Sequence, residues 1–402
     1  MVASAKRIWV SDPLASKFYG GLMIATVAWS LMESGTNLWA LAPRILPLAA
    51  IGLWFLLPWY RNAVYHGNPP PLFASTISKS AAGLTVVLTL IVFYDGLGYD
   101  VNPLTPRSGI NTVNTATDWP SYGNTLGGSR YSPLDQINRG NVEDLEVAWT
   151  YRTGIGGPFK ATPLQIGELL YVCAAGNVII ALDAQSGDLS WQFDPLIDPE
   201  HLAAIPYFTA GCRGVSYYAA PEGYQGECPE RILTATTDAR LIAVDAYTGE
   251  RCLQFGELGE ISLSEHMGND PRIFNFQTSP PGIVRGNAVV GGWVFDNQSV
   301  GEPSGVVRAF DALSGEFAWA WDMGRPGINT EPLRGEVYTR GTPNVWSLFS
   351  VDEELGLIYA PTGNETPDYF GGQRLESSEQ YASSVVAIDG ETGAVRWSFQ
   401  TV

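Results

Sequence analysis

A chain of 402 residues carrying 41 acidic and 23 basic side chains, for a net charge of −18, is long enough for two or three domains with sizeable cores. That acidic balance excludes nucleic acid as a partner, since phosphate binding rests on Lys and Arg. Three scattered histidines (His66, His201 and His266) offer no His-based metal cluster, and four cysteines without a CxxC exclude a zinc motif.

The charge is unevenly spread. Residues 1–95 hold six basic groups (Lys6, Arg7, Lys17, Arg44, Arg61 and Lys79) against Asp12, Glu33 and Asp95, or +3, which leaves −21 for the rest. Three apolar stretches occupy this first quarter: Phe18–Met32, Leu38–Trp59 and Pro71–Tyr94. A spanning helix needs about 20 apolar residues, which the second and third supply and the first supplies with its flanks. A signal peptide accounts for one stretch but not three, and no small-residue cleavage site follows the last. Lys6, Arg7 and Lys17 before the first stretch, and Arg61 and Lys79 between the second and third, place those ends in the cytoplasm; Arg44 is the exception. Three crossings then deliver the remainder to the opposite side, the periplasm of a bacterium. The expected organisation is an anchor with about three transmembrane helices over 1–97, a linker over 98–117 and an all-β body over 118–402.

The body repeats one unit, an apolar strand running into Asp, a turn with Gly, and a second strand bearing Trp. It occurs as IIALDAQSGDLSWQF (Asp183, Gly187, Trp191), LIAVDAYTGERCLQF (Asp245, Gly249), VRAFDALSGEFAWAW (Asp311, Gly315, Trp319) and VVAIDGETGAVRWSF (Asp389, Gly393, Trp397). Each reads as a hairpin, with the glycine supplying the positive φ of the turn. The spacings from Asp to Asp, 62, 66 and 78 positions, exceed a minimal blade of about 40 to 50 residues. Blades with loop insertions in a radial β-propeller are therefore expected, with a site built from loops at one end. About four units are visible and Phe399 ends the last, so the propeller is expected to be partial. The cysteines Cys173, Cys212, Cys228 and Cys252 leave two states open, a disulfide such as Cys212–Cys228 or buried free thiols.

Several long segments carry a family resemblance: DWPSYGNTLGGSRYSPLDQINRGNVEDLEVAWTYRTG (118–154), CRGVSYY (212–218), GTPNVWS (341–347) and PTGNETPDYFGG (361–372). Together with ESGTNLWALAPR (33–44) and IGLWFLLPWYRN (51–62), they resemble the membrane-bound PQQ-dependent glucose dehydrogenases over nearly the whole chain. The resemblance implies an eight-bladed quinoprotein propeller, PQQ with Ca²⁺ or Mg²⁺, a sugar or polyol substrate, and electron transfer to ubiquinone at the bacterial inner membrane. Quinate, glycerol or inositol are the alternative substrates, and a non-catalytic envelope scaffold is the alternative from another class.

The site residues implied by that resemblance are Asp296 and Asn297 for the metal, whose oxygens suit a hard cation. For the cofactor they are Trp346 as a stacking face, Thr366, and Arg213 as a partner for a carboxylate. Each has a purely structural reading as well: an Asx turn, a packing tryptophan, a residue before Pro367, and an ion pair. The sequence departs from the family at Lys160, where a glutamate is expected, and at Tyr207, Phe208 and Thr209, where a histidine is expected. The catalytic aspartate of the family falls in a segment beyond Val402, so no residue here takes the proton-abstracting role. This chain alone is expected to be inactive, with a separate polypeptide supplying the rest as one option.

Overall fold

The computed structural model describes residues 25–30, 32, 117–205, 211–268, 279–292, 299–367, 372 and 374–401. The chain divides into two units, and the architecture below is that of the second, 104–400. The apolar stretches of the first quarter lie almost wholly outside the described residues. Residues 25–30 and 32 are helical, and no described helix is long and apolar enough to cross a membrane.

The described body is all-β, with four antiparallel four-stranded sheets whose strand order follows the chain. The first contains β1 Leu164–Ile166, β2 Leu169–Cys173, β3 Ile179–Asp183 and β4 Leu189–Phe193. The second contains β5 Ser216–Ala219, β6 Glu230–Ala235, β7 Arg240–Asp245 and β8 Glu260–Ser262. The third runs β9 Gly282–Val284, β10 Asn287–Val290, β11 Val307–Asp311 and β12 Phe317–Trp321. The fourth runs β13 Ser350–Asp352, β14 Leu357–Pro361, β15 Ser384–Asp389 and β16 Val395–Gln400.

The repeated apolar strand is the third of each sheet, and it is buried on both faces rather than one. Ile179 and Ala181 join the core shared with Ile232 and Ile242 of the second sheet, whereas Ile180 and Leu182 point away, towards Trp149 and Tyr151. Successive side chains of a strand face opposite ways, so a strand sandwiched between neighbours must be apolar at every position. First strands of consecutive sheets touch one another, β5 with β9 and β9 with β13. The segment 119–128 lies across these inner strands: Trp119 pairs with Gln165 of β1, and the Val351 amide of β13 donates to the Leu126 carbonyl at 2.9 Å. Inner strands that meet one another and share one crossing segment define a radial, propeller-like arrangement.

The Asp–Gly turn has the same construction four times. The Asp183 carboxylate accepts from the Gln185 and Ser186 amides at 2.9 and 2.7 Å, and Asp245, Asp311 and Asp389 repeat the pattern. Gly187, Gly249, Gly315 and Gly393 follow at φ of 75°, 72°, 75° and 71°. Glycine also leaves room for the tryptophan of the preceding repeat: a Cβ on Gly249 would lie 2.5 Å from Trp191 and one on Gly393 2.7 Å from Trp319. The indoles then donate into the turns, Trp149 to Ala184, Trp191 to Ala246 and Trp319 to Gly390, at 3.3, 3.1 and 2.9 Å. The tryptophan is therefore an inter-sheet fastener.

The second repeat has Leu253 where the others have Trp, and its interface is fastened differently. Arg231, 1% exposed, donates to the equivalent turn carbonyls of Ala312 and Leu313 at 3.2 and 2.9 Å. Its remaining nitrogens bond the Glu227 and Cys228 carbonyls. The disulfide Cys228–Cys252 lies in the same sheet, and Cys173–Cys212 is the other. The Cys212–Cys228 pairing and the free thiols are thus both corrected. Cys212 faces the end of β2, and Cys228 faces the residues just past the second Asp–Gly turn, so each bonds the cysteine that shares its own packing layer.

Candidate functional site

In an up-and-down four-stranded sheet the turns from first to second strand and from third to fourth share one end. The second-to-third connection and the link to the next sheet share the other. The Asp–Gly turns occupy the first end. Lys160 precedes β1, Arg213 lies between β4 and β5, Trp346 between β12 and β13, and Thr366 between β14 and β15. All four therefore gather at the second end. The β10–β11 connection, which carries Asp296 and Asn297, starts and finishes there too, but both residues lie outside the described ones.

Trp346 and Arg213 are brought together. The Arg213 guanidinium lies over the Trp346 ring at 5.3 Å from its centroid, and one of its nitrogens donates to the Trp346 carbonyl at 3.3 Å. Trp346 is 45% exposed, so the guanidinium packs against an aromatic residue that is only half-buried. Arg213 is set in place by its neighbour, because Cys212 is bonded to Cys173 at the end of β2. Burial makes the charged form of Arg213 less favourable and lowers its pKa. Lys160 is lowered as well, first by burial and then by the positive charge of Arg213, which puts the two cations in one electrostatic neighbourhood.

The segment that presents Trp346 is held by close backbone approach. A Cβ on Gly305 would stand 1.9 Å from the Pro343 carbonyl oxygen, and one on Gly291 2.0 Å from that of Val345. Both positions require glycine for that reason. Ser279 adds a hydroxyl donated to the Trp346 carbonyl at 2.9 Å. Thr366 is 2% exposed and its hydroxyl donates to the Gly341 carbonyl at 3.4 Å, while the Thr366 amide bonds the same carbonyl at 3.0 Å. Its contact is with the base of the Trp346 segment. A cavity of about 660 Å³ opens at the same end beside Pro158, lined by Ile155, Val178, Leu196 and Leu202 among others, with Gln192 and Asp194 as its polar side chains.

Three of the sequence-derived residues are thus placed, with Arg213 and Trp346 in direct contact and Thr366 behind them. Sequence reasoning met Lys160 only as a departure, although a second cation near Arg213 is an asset for an anion. Ser279 sits in no recognisable motif. The donor set fits a flat, polyanionic aromatic group: a half-exposed indole with the Arg213 guanidinium against it, and Lys160 in the field of Arg213.

Over residues 119–402 the sequence matches the family described as PQQ: glucose/ethanol/alcohol dehydrogenase, beta-propeller domain. It is 37% identical to quinoprotein glucose dehydrogenase A of Acinetobacter calcoaceticus, over 96% of this chain and 50% of that protein. It is 41% identical to the glycerol dehydrogenase large subunit of Gluconobacter oxydans, over 75% of this chain and 41% of that one. Among solved structures it is similar to the quinohemoprotein alcohol dehydrogenase from Comamonas testosteroni, with a TM-score of 0.56 and 27% identity, covering 70% of this chain and 41% of that chain. The chain spans about half the length of the curated relatives it matches.

Proposed function

Because the chain belongs to the PQQ-dependent glucose/ethanol/alcohol dehydrogenase β-propeller family, we propose that it forms part of a membrane-bound quinoprotein dehydrogenase. Its substrate is an aldose or polyol such as D-glucose, and its electrons pass to ubiquinone. The observation that carries this reading is the half-exposed Trp346 ring flanked by Arg213, with Lys160 close by.

PQQ is a planar conjugated tricarboxylate, and when bound it supplies the two-electron redox chemistry. Trp346 offers its ring to the cofactor plane, a contact worth about 0.5–1.5 kcal/mol beyond area burial. Arg213 and Lys160 balance cofactor carboxylates, and Arg213 does so with a fork of donors. Thr366 steadies the Trp346 segment through Gly341. Asp296 and Asn297 hold Ca²⁺ or Mg²⁺ through oxygen atoms. The four sheets belong to an eight-bladed ring. Residues 1–97 form the anchor in the bacterial inner membrane, with the propeller over 118–402 in the periplasm. Two disulfides support an oxidising compartment for the body.

The identity to a glycerol dehydrogenase subunit keeps glycerol and related polyols as a second substrate reading. PQQ titrated into the protein in excess Ca²⁺, followed by quenching of tryptophan fluorescence, tests the site. Trp346→Ala and Arg213→Gln are each expected to weaken binding about tenfold, equivalent to about 1.4 kcal/mol. Unchanged affinity in both variants would overturn the assignment.

A further inference from the structure

A second cluster of chemistry-bearing side chains lies away from the candidate cofactor site, where the loop leaving β8 meets the loop leaving β12. One oxygen each from Glu265 and Glu331 and a ring nitrogen of His266 all lie within 4.8 Å of one another. Sequence spacing gave no hint of it, because 65 positions separate His266 from Glu331.

The cluster is built rather than incidental. His266 adopts a left-handed backbone conformation at φ 57°, uncommon for a residue with a Cβ. Its Nδ1 lies 3.0 Å from the Glu336 carbonyl, and its own carbonyl accepts from the Tyr338 amide at 2.9 Å. A carbonyl can only accept, so Nδ1 donates to Glu336 and Nε2 is the ring nitrogen not engaged by that bond. A ring fixed by one nitrogen to a backbone carbonyl is the usual support of a metal-binding histidine.

The charges point the same way. Among the described residues neither Glu265 nor Glu331 has an ion-pair partner, so two carboxylates converge with no cation in contact. The nearby guanidinium of Arg308 is buried and bonded to the Leu263 and Glu265 carbonyls instead. Tyr338, 2% exposed, lies edge-to-face with the imidazole at 6.1 Å, and among the described residues its buried hydroxyl has no hydrogen-bond partner.

We propose that Glu265, His266 and Glu331 bind a zinc-class divalent cation that ties the β8 loop to the β12 loop. Two carboxylates match its charge, and a mixed nitrogen and oxygen donor set selects a borderline cation over Ca²⁺. The segment from Tyr338 to Trp346 runs directly from this cluster to the candidate cofactor site, so the cation fastens the base of the element that presents Trp346.

The test uses the full chain, stripped with EDTA and kept under non-reducing conditions, in millimolar Ca²⁺ to saturate oxygen-rich sites such as Asp296–Asn297. Both disulfides withhold thiolates from the added metal. Zn²⁺ titrated against a chromophoric chelator is expected to bind with one equivalent, and Co²⁺ to develop a visible absorption band. His266→Gln and Glu331→Gln should each weaken Zn²⁺ at least tenfold and remove the Co²⁺ band, while Asp296→Asn leaves both intact. The melting temperature should rise with Zn²⁺ in the wild type and in Asp296→Asn but not in the first two variants. Zn²⁺ affinity and Co²⁺ spectrum unaffected by both His266→Gln and Glu331→Gln would overturn the proposal, as would their loss in Asp296→Asn alone.

Discussion

Replacing Arg231 with Met is the sharpest perturbation of the sheet-to-sheet fastening. The guanidinium is 1% exposed and bonds four backbone carbonyls, those of Glu227, Cys228, Ala312 and Leu313. The last two belong to the turn of the third sheet, so they hold the second sheet to the third. Met preserves length and most of the volume, so cavity formation contributes little and the loss is mainly polar. A hydrogen bond to a charged group is worth about 1.5–3 kcal/mol net, and the bonds of one group are not additive. The cost of keeping the guanidinium buried disappears with it, which offsets part of the loss. The balance is a destabilisation of about 3–5 kcal/mol, as for other buried charged groups whose partners are left behind. At about 2 °C per kcal/mol the melting temperature should fall by about 6–10 °C. Trp191→Phe removes one neutral bond to Ala246 and should cost about 1 kcal/mol, a shift of about 2 °C. Calorimetry or circular dichroism on the intact chain measures both. Arg231→Met melting as high as Trp191→Phe would refute the view that this arginine takes over the role of the missing tryptophan.

Gly249→Ala forces a side chain into φ 72° and towards Trp191, whereas Gly154→Ala meets φ 70° with open space around it. The first should lose about 2–4 kcal/mol by denaturant midpoint and the second about 1–2, the difference being the clash. Replacing Cys228 and Cys252 together by Ser opens a link across 24 positions and should cost about 3 kcal/mol in the same assay; no change would contradict a disulfide there. Burial pushes the Asp389 carboxyl up, but bonds from the Arg396 guanidinium and from Thr392 outweigh it and leave its pKa below the ordinary value. Its stabilisation is thus complete above the unfolded pKa of about 3.9 and is lost as pH falls through the lower folded value. Arg396→Gln should raise the Asp389 titration midpoint by NMR and cost stability near pH 5, and an unmoved midpoint would contradict the pairing.

The strand–turn–strand unit was legible from the sequence because its cues are local. Asp183, Gly187 and their equivalents act through bonds within five residues, and positive φ at the turn needs nothing from the rest of the molecule. Sheet membership followed from the same unit, and the repeated strand is apolar at consecutive positions because packing covers both its faces. Trp346 and Arg213 could be named from long motifs, but their contact joins positions 133 apart in the sequence and depends on Cys212 bonding Cys173.

The sequence by itself determined the repeat, the turn chemistry and the family, since each rests on short-range periodicity or on long matching segments. Only the tertiary structure decided which sulfurs pair, that Arg231 replaces a tryptophan, and that Lys160 shares the field of Arg213. It alone brought Glu265, His266 and Glu331 together. The physical reason is that such contacts are made across sheets, where folding chooses the neighbours and separation along the chain carries no information about them.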